Sequence, residues 1–377
     1  MIKSVASLAA LASAVVLACN ASAEPTWNGK PVVPRFVVIP DHAPLNYPNG
    51  KQPVGTLANW AGSYTDLKGH TVNYHQVGAD PATSNTDTHI KTFIIPVVFV
   101  YGASNGNMTF DPSKAKVNGK KNVIKNMLAS PLFDNGKKFK SGKINCGTGQ
   151  YIDVYQRCNF WSSVSTNTAY HTVLDYTKNR NLEPLVVNVS ASEGSVIQNP
   201  TSSETALVGT YPINNFDVKL GTYMTTHAAD ITPDTFPFFV SYDVYLTSGG
   251  CCIGGYHSVR GGTQTYGYTT YVDQYDSDGV FSEDIAAASH EIGEWQDDPF
   301  TNNHVFCTDN SIMENGDPLV IRAKAYGVFD AALNGFTYHP QSLVFMPYFG
   351  APTSTSANGW YALHGPDDMT HACPGQQ

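Results

Sequence analysis

The segment His290-Glu291-Ile292-Gly293-Glu294-Trp295 constrains this chain more than any other. At about 100° per residue, Ile285, Ala288, Ile292 and Trp295 fall on one apolar stripe. His290, Glu294 and Asp297 fall together on the opposite side, with Glu291 on the flank. Ser282 is a good N-cap, Glu283 and Asp284 suit the positive end of a helix, and Pro299 is a natural stop. The spacing therefore predicts a helix from Glu283 to Trp295 or Asp297. Its stripe should pack on a sheet while the polar set faces a cleft. Ala286, Ala287 and Gly293 are small and leave room beside that polar face.

The chemistry follows from the same residues. In the pattern H-E-x-x-H, two histidines one turn apart bind zinc and the glutamate between them is the general base. Here Glu294 stands in place of the second histidine. A carboxylate also ligates zinc, and His290 and Glu294 are close enough along a helix to reach one ion. Without a cation, this many neighbouring carboxylates would repel one another. The position ten residues after His290 is Phe300, so a third ligand must come from elsewhere. Met313-Glu314-Asn315-Gly316-Asp317-Pro318 offers Glu314 and Asp317, one as ligand and the other orienting His290. Asp297 fits better beside the ligands than among them, and His304 is a weaker competitor. Glu291 is the expected base. His257, in Gly254-Gly255-Tyr256-His257, is either an oxyanion donor or substrate contact, or a hydrogen-bonded histidine in a structural turn. Zn2+ is the expected ion. Ca2+ is the rival because it favours oxygen ligands, although His290 argues against it. Asp276-Ser277-Asp278-Gly279 also has calcium-like composition, but lacks the full loop spacing and reads as a turn. Several carboxylates on one zinc would weaken its power to acidify water, which leaves a slow, differently metallated or structural site as alternatives.

The rest of the chain sets the context. Lys3, an apolar run from Val5 to Ala18 and Ala21-Ser22-Ala23 form a charged start, an apolar centre and a small-residue cleavage site. This predicts a signal peptide over residues 1–23 and a secreted or periplasmic protein. Val16-Leu17-Ala18-Cys19 is a looser lipobox that would anchor the chain through Cys19. Six of the seven cysteines remain after cleavage, an even number that suits disulfides in an oxidising compartment. Cys146 and Cys158 could close a local loop; Cys251 and Cys252 could bond each other or reach Cys307 and Cys373. The net charge is −9 and only 14% of residues are charged, so no basic face is available for nucleic acid. No later apolar run is long enough for a membrane helix.

Residues 24–89 read as an extended arm. The β-rich part of the core is expected over 90–250, and the part bearing the metal site over 251–377. Strands are expected at Ile90–Tyr101, with Pro96 hinting at an edge or bulge, and at Pro184–Val189, Ala206–Tyr211, Asn215–Tyr223, Phe236–Leu246 and Tyr266–Asp273. A short helix is expected at Asn122–Leu128. The aromatic-rich stretch Gln150–Trp161 reads as core packing before it reads as a ligand groove.

Ser289–Trp295, Asp298-Pro299, Asn315-Gly316-Asp317-Pro318, Cys251-Cys252 with Tyr256-His257, and Gln150-Tyr151-Ile152-Asp153 with Phe160-Trp161 together resemble a group of secreted, largely uncharacterised bacterial proteins. The resemblance runs from about Ile90 onward. A fainter similarity, through the Tyr-His segment, is to the plant phosphate-induced (exordium-like) extracellular proteins. The resemblance implies export and a metallopeptidase-like site. The combined expectation is an α+β fold, with a zincin-like mixed β-sheet carrying an active-site helix and a β-rich N-terminal part. The expected function is an exported zinc-dependent hydrolase acting on peptide or protein. The alternative is a non-catalytic extracellular protein that binds cell-wall polysaccharide and holds a structural metal.

Overall fold

The computed structural model describes residues 26–27, 30–32, 35–42, 45–47, 50–65, 69–117, 119–141, 144–176, 182–201, 206–273, 282–305, 312–314, 317 and 328–341. Residues 1–23, expected to be a signal peptide and including Cys19, lie outside the described residues, as do Asp276-Ser277-Asp278-Gly279, Cys307, Asn315, Gly316, Pro318 and Cys373.

The principal strands in chain order are β1 (Arg35–His42), β2 (Asn59–Thr65), β3 (Thr71–Val77), β4 (Asp87–Tyr101), β5 (Thr109–Phe110), β6 (His171–Tyr176) and β7 (Leu185–Val189). They continue with β8 (Ser195–Gln198), β9 (Leu207–Pro212), β10 (Thr235–Tyr242), β11 (Val244–Thr247), β12 (Ile253–Arg260) and β13 (Gln264–Tyr271). The helices that matter here are α1 (Val123–Leu128), α2 (Tyr151–Asn159), α3 (Ile213–Thr226) and α4 (Ala286–Asp297). The fold is mixed α+β and strand-rich, built on one large curled sheet of eleven strands. The sheet runs β6-β4-β10-β13-β12-β11-β9-β8; β5 and β7 also pair with β4, and β1 with β12. The neighbours β6, β4, β10 and β13 are mutually parallel, and β12–β13 is an antiparallel hairpin.

Strand alternation divides the core into two apolar layers. On β10, Phe236, Phe238 and Val240 face one layer and Phe239 the other. The first layer holds α1, α2 and α4; the second holds α3. Both faces of the parallel centre are covered, which accounts for the nearly unbroken apolar runs of β4 and β10. The aromatic-rich stretch becomes α2, whose Tyr151, Ile152, Val154 and Tyr155 pack in the first layer. Asn122 caps α1, its side chain accepting from the Lys125 amide at 2.8 Å.

Several expectations need correction. Asn215–Tyr223 is part of α3 and not a strand: the buried residues Ile213, Phe216, Leu220, Tyr223 and Met224 recur at three- and four-residue steps. Phe236–Leu246 is two strands, broken at Asp243, whose φ of 49° turns the chain. Pro96 marks a local edge within the sheet: it pairs with β10 on one side and has no partner strand on the other among the described residues. It sits where pairing of β4 passes from β6, which ends opposite Thr92, to β7, which begins opposite Val97. Residues 24–89 also do more than lead in. β1 pairs with β12 in the main sheet, and the β2–β3 hairpin reaches α4, where Gln76 Nε2 donates to Asp297 Oδ1 at 2.8 Å. Finally, α4 starts at Ala286, later than expected, and Ser282 is not its cap. Ser282 and Asp284 adopt left-handed φ values of 65° and 35°, and Ile285 takes the cap position without a side-chain bond.

Disulfides join Cys146 to Cys158 and Cys251 to Cys252. Among the described residues, no helix is long and apolar enough to cross a membrane.

Candidate metal centre

The expected stripe holds α4 in place. Ile285, Ala288, Ile292 and Trp295 all lie in the first apolar layer. Trp295 stacks on Phe236 with ring centroids 3.8 Å apart, and its Nε1–H donates to Thr265 Oγ1 at 3.0 Å. With that side fixed on β10 and β13, the polar side of the helix is turned onto β12. Period-two alternation on β12 presents Gly255 and His257 to α4, while Tyr256 points into the opposite layer. Gly255 is required there: a Cβ at that position would lie 2.6 Å from Glu291 Cγ and 2.7 Å from its Oε1.

The helix, this strand and the 312–317 segment bring six ionisable side chains together. His290 Nε2 is 2.9 Å from Glu294 Oε1 and 3.4 Å from Asp317 Oδ1. His257 Nδ1 is 3.6 Å from Glu291 Oε2 and 3.9 Å from Glu294 Oε2. Glu314 enters from a segment held by an antiparallel bridge between His304 and Ile312 and by the Met313 amide, which donates to Asn303 O at 2.9 Å. His304 itself is exposed and outside the cluster. Asp297 is also outside it and accepts from Gln76.

Each imidazole is oriented from behind. His290 Nδ1 donates to Gln341 Oε1, which leaves Nε2 facing the carboxylates. Gln341 is pinned in turn by its own amide on Ser289 Oγ at 2.8 Å and by the Tyr151 hydroxyl, which donates to its carbonyl at 2.5 Å. His257 Nε2 donates to the Asp298 carbonyl at 3.2 Å, leaving Nδ1 facing the cluster. A ring nitrogen tied to a carbonyl or amide oxygen, with the other nitrogen aimed at carboxylates, is the arrangement of a metal-ligating histidine. Neither Gln341 nor the Asp298 carbonyl carries a sequence signal. The Gly255/His257 alternation does carry one, but only once β12 is known to lie under α4.

Burial decides the electrostatics. The expected polar face does not open to a cleft: His257, Glu291 and Glu294 are fully buried, and the most exposed member, Asp317, shows 8% of its surface. Burial drives Glu291 well above the ordinary carboxylate range, with only partial relief from His290. Glu314 is pushed up by burial and then by Glu294 and Asp317. Asp317 is pushed up to about 6, chiefly by burial. Burial also lowers His257 to about 4 against the pull of Glu294. At His290, Glu294 and Asp317 overcome burial and favour the protonated ring; at Glu294 the same pairing overcomes burial and favours the anion.

Both oxygens of Glu291, both of Glu314, His257 Nδ1 and Asp317 Oδ1 accept no hydrogen bond among the described residues. A buried, unsatisfied polar atom costs about 1–3 kcal/mol, and more when charged. Donors on one ion with bonds of about 2.0–2.2 Å at tetrahedral or octahedral angles lie about 3–3.5 Å apart. The spacings of 2.9 and 3.4 Å at His290 suit that requirement, and those of 3.6 and 3.9 Å at His257 are slightly wider. The residues present therefore fit a divalent cation, with mixed nitrogen and oxygen donors that suit zinc, manganese or iron better than calcium. Comparison with known proteins yields no matching family model, no matching curated protein and no matching solved structure.

Proposed function

We propose that the protein is an exported, metal-dependent hydrolase whose substrate is a peptide or protein. The observation that supports this reading is the convergence of two oriented imidazoles and unsatisfied buried carboxylates. A helix carrying His290, Glu291 and Glu294 over a mixed sheet is also the arrangement that a zincin-like enzyme would use. His290, Glu294 and Asp317, with His257 and Glu314, would hold the metal. Bound there, a divalent ion would acidify water and polarise a carbonyl. Glu291 would be the residue that moves protons. Its carboxyl is buried, that burial raises its pKa, and it accepts no hydrogen bond from the described residues. In amide hydrolysis it would take the proton of the attacking water as the new C–O bond forms. It would return that proton to the departing amine as the C–N bond breaks. His257 would serve as a ligand more readily than as an oxyanion donor, because its Nε2–H is already engaged by Asp298 and its Nδ1 faces carboxylates.

A second reading has its own observation. A site in which no residue is more than 8% exposed suits a structural ion in a non-catalytic protein that binds cell-wall polysaccharide. Elemental analysis of the purified chain and peptide-library cleavage with and without chelator separate the two. The hydrolase reading expects bound metal, cleavage that stops on chelation, and a Glu291→Gln variant that keeps metal but loses turnover by at least about 100-fold. Metal without any cleavage leaves the structural reading standing; a metal-free protein removes both.

A further inference from the structure

The donors of this site divide into two groups. In each, all ligand atoms lie within 4.8 Å of one another: His257, Glu294 and Glu314 form one, and His290, Glu291 and Glu294 the other. Glu294 belongs to both, and the imidazoles belong to different groups. Two ligands of one ion with bonds of about 2.1 Å can be at most about 4.2 Å apart. The glutamate is placed between the groups through its separate oxygens: Oε1 faces His290 Nε2 at 2.9 Å and Oε2 faces His257 Nδ1 at 3.9 Å. Asp317 joins the His290 side at 3.4 Å.

We propose that the centre holds two divalent transition-metal ions bridged by the Glu294 carboxylate. One would bind His290 and Glu294 Oε1, with Glu291 in the same group of donors and Asp317 3.4 Å from the ring; the other would bind His257, Glu314 and Glu294 Oε2. The inference rests on the metal-site reading above and deepens it.

Charge supports two ions over one. Glu291, Glu294, Glu314 and Asp317 carry four negative charges when ionised, and both histidines are neutral when they ligate. One divalent ion answers only two of these four charges, and buried carboxylates are costly to leave ionised without a cation. Two divalent ions balance the set. Arg35 lies beside Asp317 and offsets part of this charge, while burial disfavours charge on Asp298. The chemistry is also coherent. Paired ions about 3.5–4 Å apart clamp both sides of a hydrolytic displacement. A shared site further explains why so many carboxylates surround the centre, a number that would otherwise quench a lone zinc.

The test is metal stoichiometry. The full chain is stripped with chelator and dialysed against Mn2+ or Zn2+, and bound metal is measured by elemental analysis. The Mn2+ form is also examined by electron paramagnetic resonance. Two equivalents per chain and an exchange-coupled Mn2+ pair are expected. His257→Ala and Glu314→Gln should each reduce binding to one equivalent and abolish the coupled signal. Glu314→Gln preserves volume and supplies the answer if His257→Ala does not fold. One equivalent in the unsubstituted chain, or two with no coupling, overturns the bridged pair and leaves a mononuclear centre intact. No bound metal overturns both this inference and the function on which it rests.

Discussion

One imidazole–carboxylate cluster lies at the start of α4 and another along its middle, and they have opposite characters. At the start of the helix, His339 Nδ1 is 2.7 Å from Asp284 Oδ2 and 2.9 Å from Glu283 Oε1. Asp284 Oδ1 also accepts from the amides of Ile285 and His339. With the exposed Asp330 3.6 Å from Nε2, one protonated ring is shared by carboxylates of which Asp284 also has these two backbone donors. Burial works against charge on His339, but Asp284 and Glu283 outweigh it and push the ring up to about 10. The cluster around Glu294 has the same residue types, but its Glu291 and Glu314 oxygens accept nothing from the described residues. Spacing alone allows either group to hold an ion. What distinguishes them is satisfaction: the first cluster gathers its acids around one protonated ring, whereas the second has buried oxygens that accept no hydrogen bond from the described residues. A buried carboxylate becomes a candidate ligand when nothing else in the protein answers its charge.

Removing metal should produce the largest effect, and should act on one cluster only. A ligand that binds only the folded state adds about 4 kcal/mol when its free concentration is 1,000-fold above Kd. Chelation is expected to lower unfolding free energy by about that amount in the unsubstituted chain and equally in His339→Gln, as measured by denaturant titration. A chelation effect that disappears in His339→Gln would mean that the ion sits in the wrong cluster.

Gly255→Ala is expected to come next. The added methyl must displace Glu291, and overpacking of this kind costs about 1–3 kcal/mol. Catalysis should fall with it, whereas Gly102→Ala, which meets nothing within 4 Å, should match the parent. Equal behaviour of the two variants would remove the close approach of β12 to α4. Gln341→Leu keeps side-chain volume but loses the acceptor for His290 Nδ1. Loss of a partner behind a ligating histidine typically costs 10–100-fold in metal affinity. Competition with a chromophoric chelator should show that loss, beside the roughly 1–3 kcal/mol that an unpaired buried Nδ1–H costs the metal-free protein. Unchanged affinity would show that Gln341 does not orient the ring.

Much of α4 was legible because two periodicities agreed there. Ile285, Ala288, Ile292 and Trp295 gave the packed side, and the four-residue step from His290 to Glu294 gave the polar one. At α3 the periodicities conflicted. Phe216, Val218 and Leu220 alternate like a strand, yet Val218 is 66% exposed while the other two are buried, as only a helix allows. The participation of Glu314 and Asp317 could be read from their acidic turn. Which imidazole each one accompanies could not, because that depends on the strand lying beneath α4. His257 had the same difficulty: its position beside Glu291 follows from the pairing of β12 with β13 and β1, which no local pattern encodes. The paired character of the His339 cluster was also invisible, since Glu283 and Asp284 read simply as acids suited to a helix start.

That paired cluster gives the smallest expected effect and the clearest control. A histidine whose pKa is raised by folding stabilises the protein while it is protonated in the folded state. Its contribution is fully present below the unfolded value of about 6.5, and declines as pH rises from there to the folded value of about 10. The stability gap between the parent and His339→Gln should therefore be widest near pH 6 and close toward pH 10. It should be modest, because the Ile285 amide still serves Asp284 when the ring is absent. The gap should also be the same with and without chelator, since the ring's partners are carboxylates that need no ion. A gap that stays flat across this range would show that His339 contributes packing alone, and one that vanishes on chelation would show that the two clusters are not independent.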